Sequence, residues 1–318
     1  MAHYDVFNGD ADGLCALQQL RLEDPRDTVL VTGVKRDIAL LGRVAARSGD
    51  TVTVLDVSME RNLQALHALL DQGVAVAYFD HHEAGAVPRH PLLAPHLDPA
   101  PEACTSILVD RFLGGARRAW AVVGAYGDGL AVPAGALADA LGLTASERQS
   151  LRELGEAINY NAYGESEADL LVPPAQLARL LRPCADPFAF AATAQARSLC
   201  ARRAEDLARG LAVRATWEGA GATATVLPDA PWARRVQGTL AHALADRVPD
   251  RAQAVLCPSA DGCFVVSLRA PRVQPTGAAA VCRRFAGGGR AGAAGIDALP
   301  RAQWDAFLQA LQQAWPGH

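Results

Sequence analysis

Residues 74–82 read Val-Ala-Val-Ala-Tyr-Phe-Asp-His-His, six apolar residues that stop at an acid and two imidazoles. A run this short, with β-branched and aromatic members, reads as a buried strand rather than a helix. Two earlier stretches repeat the device. Thr51–Leu55 (TVTVL) ends directly at Asp56, and Tyr4–Phe7 is followed by Asn8-Gly9-Asp10-Ala11-Asp12-Gly13. Thr28–Thr32 is a further β-branched run between them. The segments Leu14–Leu22 and Arg61–Leu70 carry apolar residues at three- and four-residue spacing, which reads as amphipathic helix. Strands alternating with helices predict an α/β fold, a parallel sheet with helices on both faces. Such sheets bind ligands outside the carboxyl ends of their strands. Asp10, Asp12, Asp56, Asp80 and His81 all come just past a strand's last apolar residue, so the topology predicts that they meet at one edge.

The domain continues with a helix over Cys104–Leu113 and the apolar run Trp120–Tyr126, which ends at Gly127-Asp128-Gly129 and reads as a further strand-end acid. Residues 136–162 read as helix, with Thr144-Ala145-Ser146-Glu147 as a capping box. These segments make up a first domain over 1–187. An Ala- and Arg-rich helical stretch, Phe188–Leu211, reads as a connector within 188–214. A smaller α/β domain over 215–318 follows, with strands near Ala222–Leu227, Ala254–Cys257 and Cys263–Leu268. It closes with the glycine-rich Phe285–Gly295 and an amphipathic helix, Trp304–Trp315.

Composition narrows the function classes. The 318 residues are 50% hydrophobic and 20% charged, with a net charge of −4, which leaves no broadly basic surface for long duplex DNA. A local arginine cluster would suffice for a small anion or a short single strand. Lys35 is the only lysine in the chain. The seven cysteines show no C-x-x-C pair and no zinc spacing, which reads as reduced thiols in a cytoplasmic protein. No apolar run reaches the length of a membrane span.

Aspartates and a histidine at strand ends make a cage for hard divalent cations. Taken alone, Asp10-Ala11-Asp12-Gly13 reads equally as a solvated Asx turn, and it also resembles part of a calcium loop without that loop's later ligands. Asp80-His81-His82 is more specific. Adjacent histidines at a strand end cannot point the same way, so one can be a ligand and the other can face substrate, while the aspartate orients a ring. Asp56 would be costly if buried without a partner, and a metal removes that cost. Asp128, between two glycines, reads either as a turn aspartate or as a ligand.

In this order the motifs Asp-x-Asp-Gly, Asp, Asp-His-His, Asp resemble the DHH phosphoesterase superfamily, which includes RecJ exonucleases, nanoRNA and cyclic-dinucleotide phosphodiesterases and manganese pyrophosphatases. Ser267-Leu268-Arg269 and Gly287-Gly288-Gly289-Arg290-Ala291-Gly292-Ala293-Ala294-Gly295 resemble the DHHA1 substrate-binding domain. The resemblance implies that Asp10, Asp12, Asp56, His81 and Asp128 are metal ligands for two divalent cations, Mn²⁺ or Mg²⁺, with Asp56 as a bridge. It implies that His82 contacts the scissile phosphate beside Asp80, and that Lys35-Arg36 occupies the place of an arginine loop in RecJ-like members, which makes Lys35 a substrate-binding candidate and Arg36 a catalytic one with His82 and Asp80. Cys104-Thr105-Ser106 resembles a small-residue helix start facing the site, so Thr105 and Ser106 become substrate-binding candidates with Arg269, Gly287, Gly288, Gly289 and Arg290.

Two departures stand out. Val6 replaces a histidine that many phosphodiesterase members carry, and Asn8 stands where RecJ-like members have aspartate. Arg290 stands where the family has histidine, and arginine can still bind phosphate bidentately. The spacing Gly287-x-Gly289-x-x-Gly292 matches a dinucleotide fingerprint literally, but it follows a helical rather than a strand pattern, so a backbone nest for phosphate is preferred. Asn159-Tyr160-Asn161-Ala162-Tyr163 reads either as a base-stacking segment or as a cap closing the domain. The resulting expectation is a phosphoesterase acting, between its domains, on a nucleotide or short single-stranded nucleic acid, with oligomerisation left open. A RecJ-like exonuclease and a non-catalytic relative that binds nucleic acid or protein are the alternatives.

Overall fold

The computed structural model describes residues 1–317. The chain divides into two compact units, the first ending at Ala201 and the second beginning at Arg202.

The first unit is built on a five-stranded, all-parallel sheet of β1 (His3–Phe7), β2 (Val29–Val31), β3 (Thr51–Leu55), β4 (Ala75–Asp80) and β5 (Leu93–Leu97), in the order β2-β1-β3-β4-β5. Alternation along the strands creates two cores. Phe7, Leu55 and Phe79 face one side, while Val6, Val54 and Tyr78 face the other. The first core takes α1 (Ala11–Glu23), and the second takes α2 (Met59–Asp71) through Leu66, Leu69 and Leu70. Next come α3 (Thr105–Phe112), α4 (Arg118–Gly127), α5 (Ala131–Ala140), α6 (Ala145–Asn161), α7 (Pro174–Leu181), α8 (Pro187–Ala191) and α9 (Ala194–Leu211). The division between units falls inside α9.

Several elements differ from the sequence reading. The edge strand β5 contains Pro95 and little β-branching, which hid it; proline is tolerated there because an edge strand need not donate on both sides. Asp128 does not end a strand: it caps the C-terminus of α4. The run before it is a buried helix because Gly124 and Gly127 let it lie against its neighbours. A Cβ at Gly124 would fall 2.1 Å from Ser106 Oγ, and one at Gly127 would fall 2.3 Å from Ala11 Cβ. A short, uniformly apolar run carries no periodicity to tell helix from strand. The helical stretch over 136–162 is two helices parted by Gly142 at φ 67°, and the Thr144–Glu147 capping box starts the second. The stretch 188–211 breaks after Ala191, and Thr193 Oγ1 accepts from the Ala196 N–H at 3.2 Å at the new start.

The second unit carries a mixed sheet of β6 (Trp217–Glu218), β7 (Ala222–Val226), β8 (Ala252–Pro258), β9 (Cys263–Arg269), β10 (Gly288–Gly289) and β11 (Ala293–Pro300). Their order is β10-β11-β9-β8-β7-β6, with only β7 and β8 parallel. Its helices are α10 (Pro231–Arg247), α11 (Ala278–Arg283) and α12 (Trp304–Ala314). Leu256, Leu268, Ile296, Phe307 and Leu311 form its core. The glycine run makes the tight β10–β11 hairpin: a Cβ at Gly287 would fall 2.3 Å from the Gly295 carbonyl oxygen. All seven cysteines are free thiols. No helix among the described residues is long and apolar enough to cross a membrane.

Candidate active site

The site lies at the carboxyl edge of the parallel sheet, where β1, β3 and β4 release their chains. After β1 the backbone turns at once into α1, and Asp10 is the N-cap. Its Oδ1 accepts from the N–H groups of Asp12 and Gly13 at 3.0 and 3.1 Å. Its Oδ2 is left to face Lys35 Nζ at 2.5 Å. Burial would raise the Asp10 carboxyl, but the lysine charge and these hydrogen bonds hold it below the usual carboxylate range.

Asp56 leaves β3 with φ 58°, a left-handed conformation that aspartate tolerates better than most residues. It is 2% exposed, and its amide donates to the Phe79 carbonyl at 3.0 Å. Its Oδ1 accepts from Thr105 Oγ1 at 3.4 Å and lies 3.4 Å from His81 Nε2. Burial, followed by the charges of Asp10 and Asp12, pushes the Asp56 carboxyl well above its ordinary pKa. His81 Nε2 also lies 3.9 Å from Asp128 Oδ2. Burial raises the Asp128 carboxyl too, partly offset by Lys35.

Lys35, from the loop after β2, enters this cluster end-on. Its Nζ sits 3.5 Å from Asp128 Oδ1, donates to Asn159 Oδ1 at 3.0 Å, and stands 5.7 Å from the centroid of the Tyr163 ring. Burial would lower its pKa, but Asp10 raises it well above the ordinary value. Asn159 and Tyr163 therefore belong to the site's surroundings, while Asn161 closes the domain by bonding the backbone of Leu171 and Val172. The spacing of the segment did not separate these jobs, because at the end of α6 neighbouring residues point to different elements.

Asp12 is the expected cluster member whose two oxygens are already engaged by protein donors. Its Oδ2 accepts from Thr105 N–H at 2.6 Å, and its Oδ1 accepts from Ser106 N–H at 2.8 Å and from Ser106 Oγ. It is 1% exposed and anchors the N-terminus of α3, so Thr105 and Ser106 are first of all its partners.

Asp80 and His82 form a pair. Asp80 is fully buried as the last residue of β4, and its Oδ1 meets His82 Nδ1 at 2.7 Å while its Oδ2 has no partner. His82 is half exposed beside His81, with ring centroids 4.5 Å apart. Burial lowers the His82 pKa, but the Asp80 hydrogen bond and the Asp56 charge outweigh it, so the imidazole titrates above its ordinary value. In metal-free protein, Asp80→Asn is expected to bring the His82 pKa down, read by NMR titration of the ring. The stabilisation from this pair is full below the unfolded histidine's pKa, about 6.5, and is lost as pH rises through the higher folded value. An unchanged ring pKa would show that Asp80 does not orient and charge His82.

Arg36 follows Lys35 on the exposed side of its loop. On the second unit, Arg269 ends β9 and its Nε donates to His242 Nε2 at 3.1 Å; Arg272 lies 3.3 Å from the other ring nitrogen. Partial burial and these two guanidiniums push the His242 pKa down to about 4. Gly288 and Gly289 pair with β11, next to Gly287, and Arg290 stands exposed at the hairpin tip with its amide on the Ala293 carbonyl at 2.8 Å.

The structure of exonuclease RecJ bound to manganese superposes with a TM-score of 0.62 at 20% identity, covering 98% of this chain and 90% of that one. The DHH domain of a member of a ribosomal-protein family gives 0.61 at 14% identity, over 98% and 86% of the two chains. The fold is that of the DHH proteins. A pGpG-specific phosphodiesterase from Vibrio cholerae shares it at a TM-score of 0.53 and 14% identity, over 99% of both chains. Neither a protein-family model nor a curated protein matches the sequence.

Proposed function

We propose that the protein is a divalent-cation-dependent hydrolase of phosphate esters, acting on a small nucleotide or a short single-stranded oligonucleotide. One observation carries this reading: Asp10, Asp56, Asp128 and His81 converge at the carboxyl edge of the sheet, on a fold shared with an exonuclease and a nucleotide phosphodiesterase.

The residues fit a divalent ion. Ligand atoms of Asp56, His81 and His82 lie within 4.8 Å of one another. The raised pKa of Asp56 among buried like charges marks a place short of positive charge. With His82 paired to Asp80, the set left is Asp56 and Asp128 around His81 Nε2, at 3.4 and 3.9 Å, and carboxylate oxygens with one imidazole suit Mn²⁺ or Mg²⁺. Asp56 and His81 would hold the ion, which when bound supplies an activated water and charge neutralisation at phosphorus. His82, fixed by Asp80, is placed to donate from its other nitrogen to a phosphoryl oxygen. Arg36, exposed on the loop after β2, is the cationic side chain proposed for the substrate's remaining phosphates.

The test is Mn²⁺-dependent turnover across a panel of 3′,5′-bisphosphate nucleotide, linear and cyclic dinucleotides, and single-stranded RNA and DNA of increasing length. Cleavage confined to the shortest members is the expected result, and His82→Ala should lower kcat by about 10²–10⁴-fold. Preference for the long strands would instead support an exonuclease working like RecJ. A metal-loaded protein that turns over nothing in the panel would remove the catalytic reading.

A further inference from the structure

The sequence expectation is two metal ions, yet two of the expected ligands, Asp10 and Asp128, share a side-chain cation. Asp128 faces two ways. Its Oδ2 lies toward His81 Nε2 at 3.9 Å, on the side where His81 also meets Asp56 at 3.4 Å. Its Oδ1 lies 3.5 Å from Lys35 Nζ, which at the same time sits 2.5 Å from Asp10 Oδ2. The carboxylate pair Asp10–Asp128 is thus already bridged by a cation belonging to the chain.

We propose that Lys35 Nζ permanently occupies one of the two cation positions, so that the site binds a single divalent ion, at Asp56, Asp128 and His81. This rests on the metal-dependent reading of the same site and sets its stoichiometry.

The lysine is built into place rather than swung in from solvent. Its amide donates to the Ala162 carbonyl at 2.9 Å and its own carbonyl accepts from Asn8 Nδ2 at 3.2 Å, so the backbone is tied at both ends. Asn159 Oδ1 accepts from the ammonium at 3.0 Å, and the Tyr163 ring stands beside it. The ammonium also offsets part of the charge of the buried carboxylates Asp10 and Asp128, which it faces directly. Composition agrees as well. Every other basic residue of this chain except its histidines is arginine, and lysine appears only here. An ammonium is a compact point charge that can stand in for an ion, whereas a planar guanidinium presents a fork too wide for that role.

The experiment is a metal count on the full-length protein equilibrated with MnCl₂ alone, by elemental analysis, together with its EPR spectrum. The wild type should hold one Mn²⁺ per chain with the six-line signal of an isolated ion. Lys35→Met, which keeps the stem and removes the charge, should hold two and show the spectrum of a spin-coupled pair. A wild-type count of two overturns the inference and leaves the metal-dependent reading standing. A wild-type count of zero overturns both. A count of one in Lys35→Met would show that the ammonium does not hold a cation's place. The wild-type count decides the stoichiometry even if that variant fails to fold.

Discussion

Asp56→Asn is expected to abolish hydrolysis, by on the order of 10³-fold in kcat, while making the metal-free protein more stable. The two effects share one cause. Asp56 is buried against Asp10 with Asp12 and Asp128 nearby, and its carboxyl is pushed well above the ordinary value. A carboxylate in such surroundings is held for what it binds, at a cost to the unliganded fold. Asparagine keeps the shape and tolerates the left-handed φ of 58°, but removes the charge. The metal-free Tm should rise by roughly 2–4 °C, corresponding to about 1 kcal/mol in a domain of this size. The sign with pH follows from the raised folded pKa. The penalty is absent below the unfolded carboxyl's pKa and grows as pH rises toward the folded value. Wild-type stability should therefore fall relative to that of the variant as pH rises above about 4. Asp56→Ala separates charge from conformation, since alanine at this φ adds strain of about 1 kcal/mol that asparagine avoids. A lower metal-free Tm for Asp56→Asn would show that the carboxylate is satisfied without an ion.

The sheet was legible because its strands are written as uninterrupted apolar runs ending at acids: Thr51–Leu55 at Asp56 and Ala75–Phe79 at Asp80. The parallel topology then carries those ends to one edge, and no side-chain detail is needed to predict the meeting of Asp10, Asp56 and His81. What sequence could not show is decided by contacts between distant segments. Asp128 arrives on a helix, because Gly124 and Gly127 allow α4 to pack where a side chain would collide with Ser106 or Ala11. Lys35 reads as a substrate contact from its place after β2, and only the fold brings Asn159 and Tyr163 round to fix its ammonium among the carboxylates. Pairing of His82 with Asp80 follows the division of labour that adjacent histidines require. The strand β11 stayed hidden because its residues, Ala, Gly, Ile and Asp among them, pair through backbone and carry little strand signature.

Asp12 provides the opposite case, and Asp12→Ala is expected to destabilise the metal-free protein by about 3–5 kcal/mol. In sequence it is indistinguishable from Asp10, two residues away on the same turn. In the structure Asp10 keeps an oxygen for Lys35, whereas both oxygens of Asp12 are spent on Thr105 N–H, Ser106 N–H and Ser106 Oγ. Those amides are the unpaired donors at the start of α3, whose dipole favours the negative charge. Removing the carboxylate leaves buried donors unsatisfied in a region pinned by the close approach of Gly124 to Ser106. Asparagine does not repair this, because its amide NH₂ would face another donor. Thermal unfolding of the metal-free protein discriminates between roles. A residue present chiefly to bind an ion leaves that Tm unchanged or raises it when neutralised, as argued for Asp56. A residue that anchors a helix lowers it whether or not metal is present. Asp12→Ala should lose more than about 6 °C in the metal-free state. An unchanged Tm would place Asp12 among the ion's ligands and not among the supports of α3.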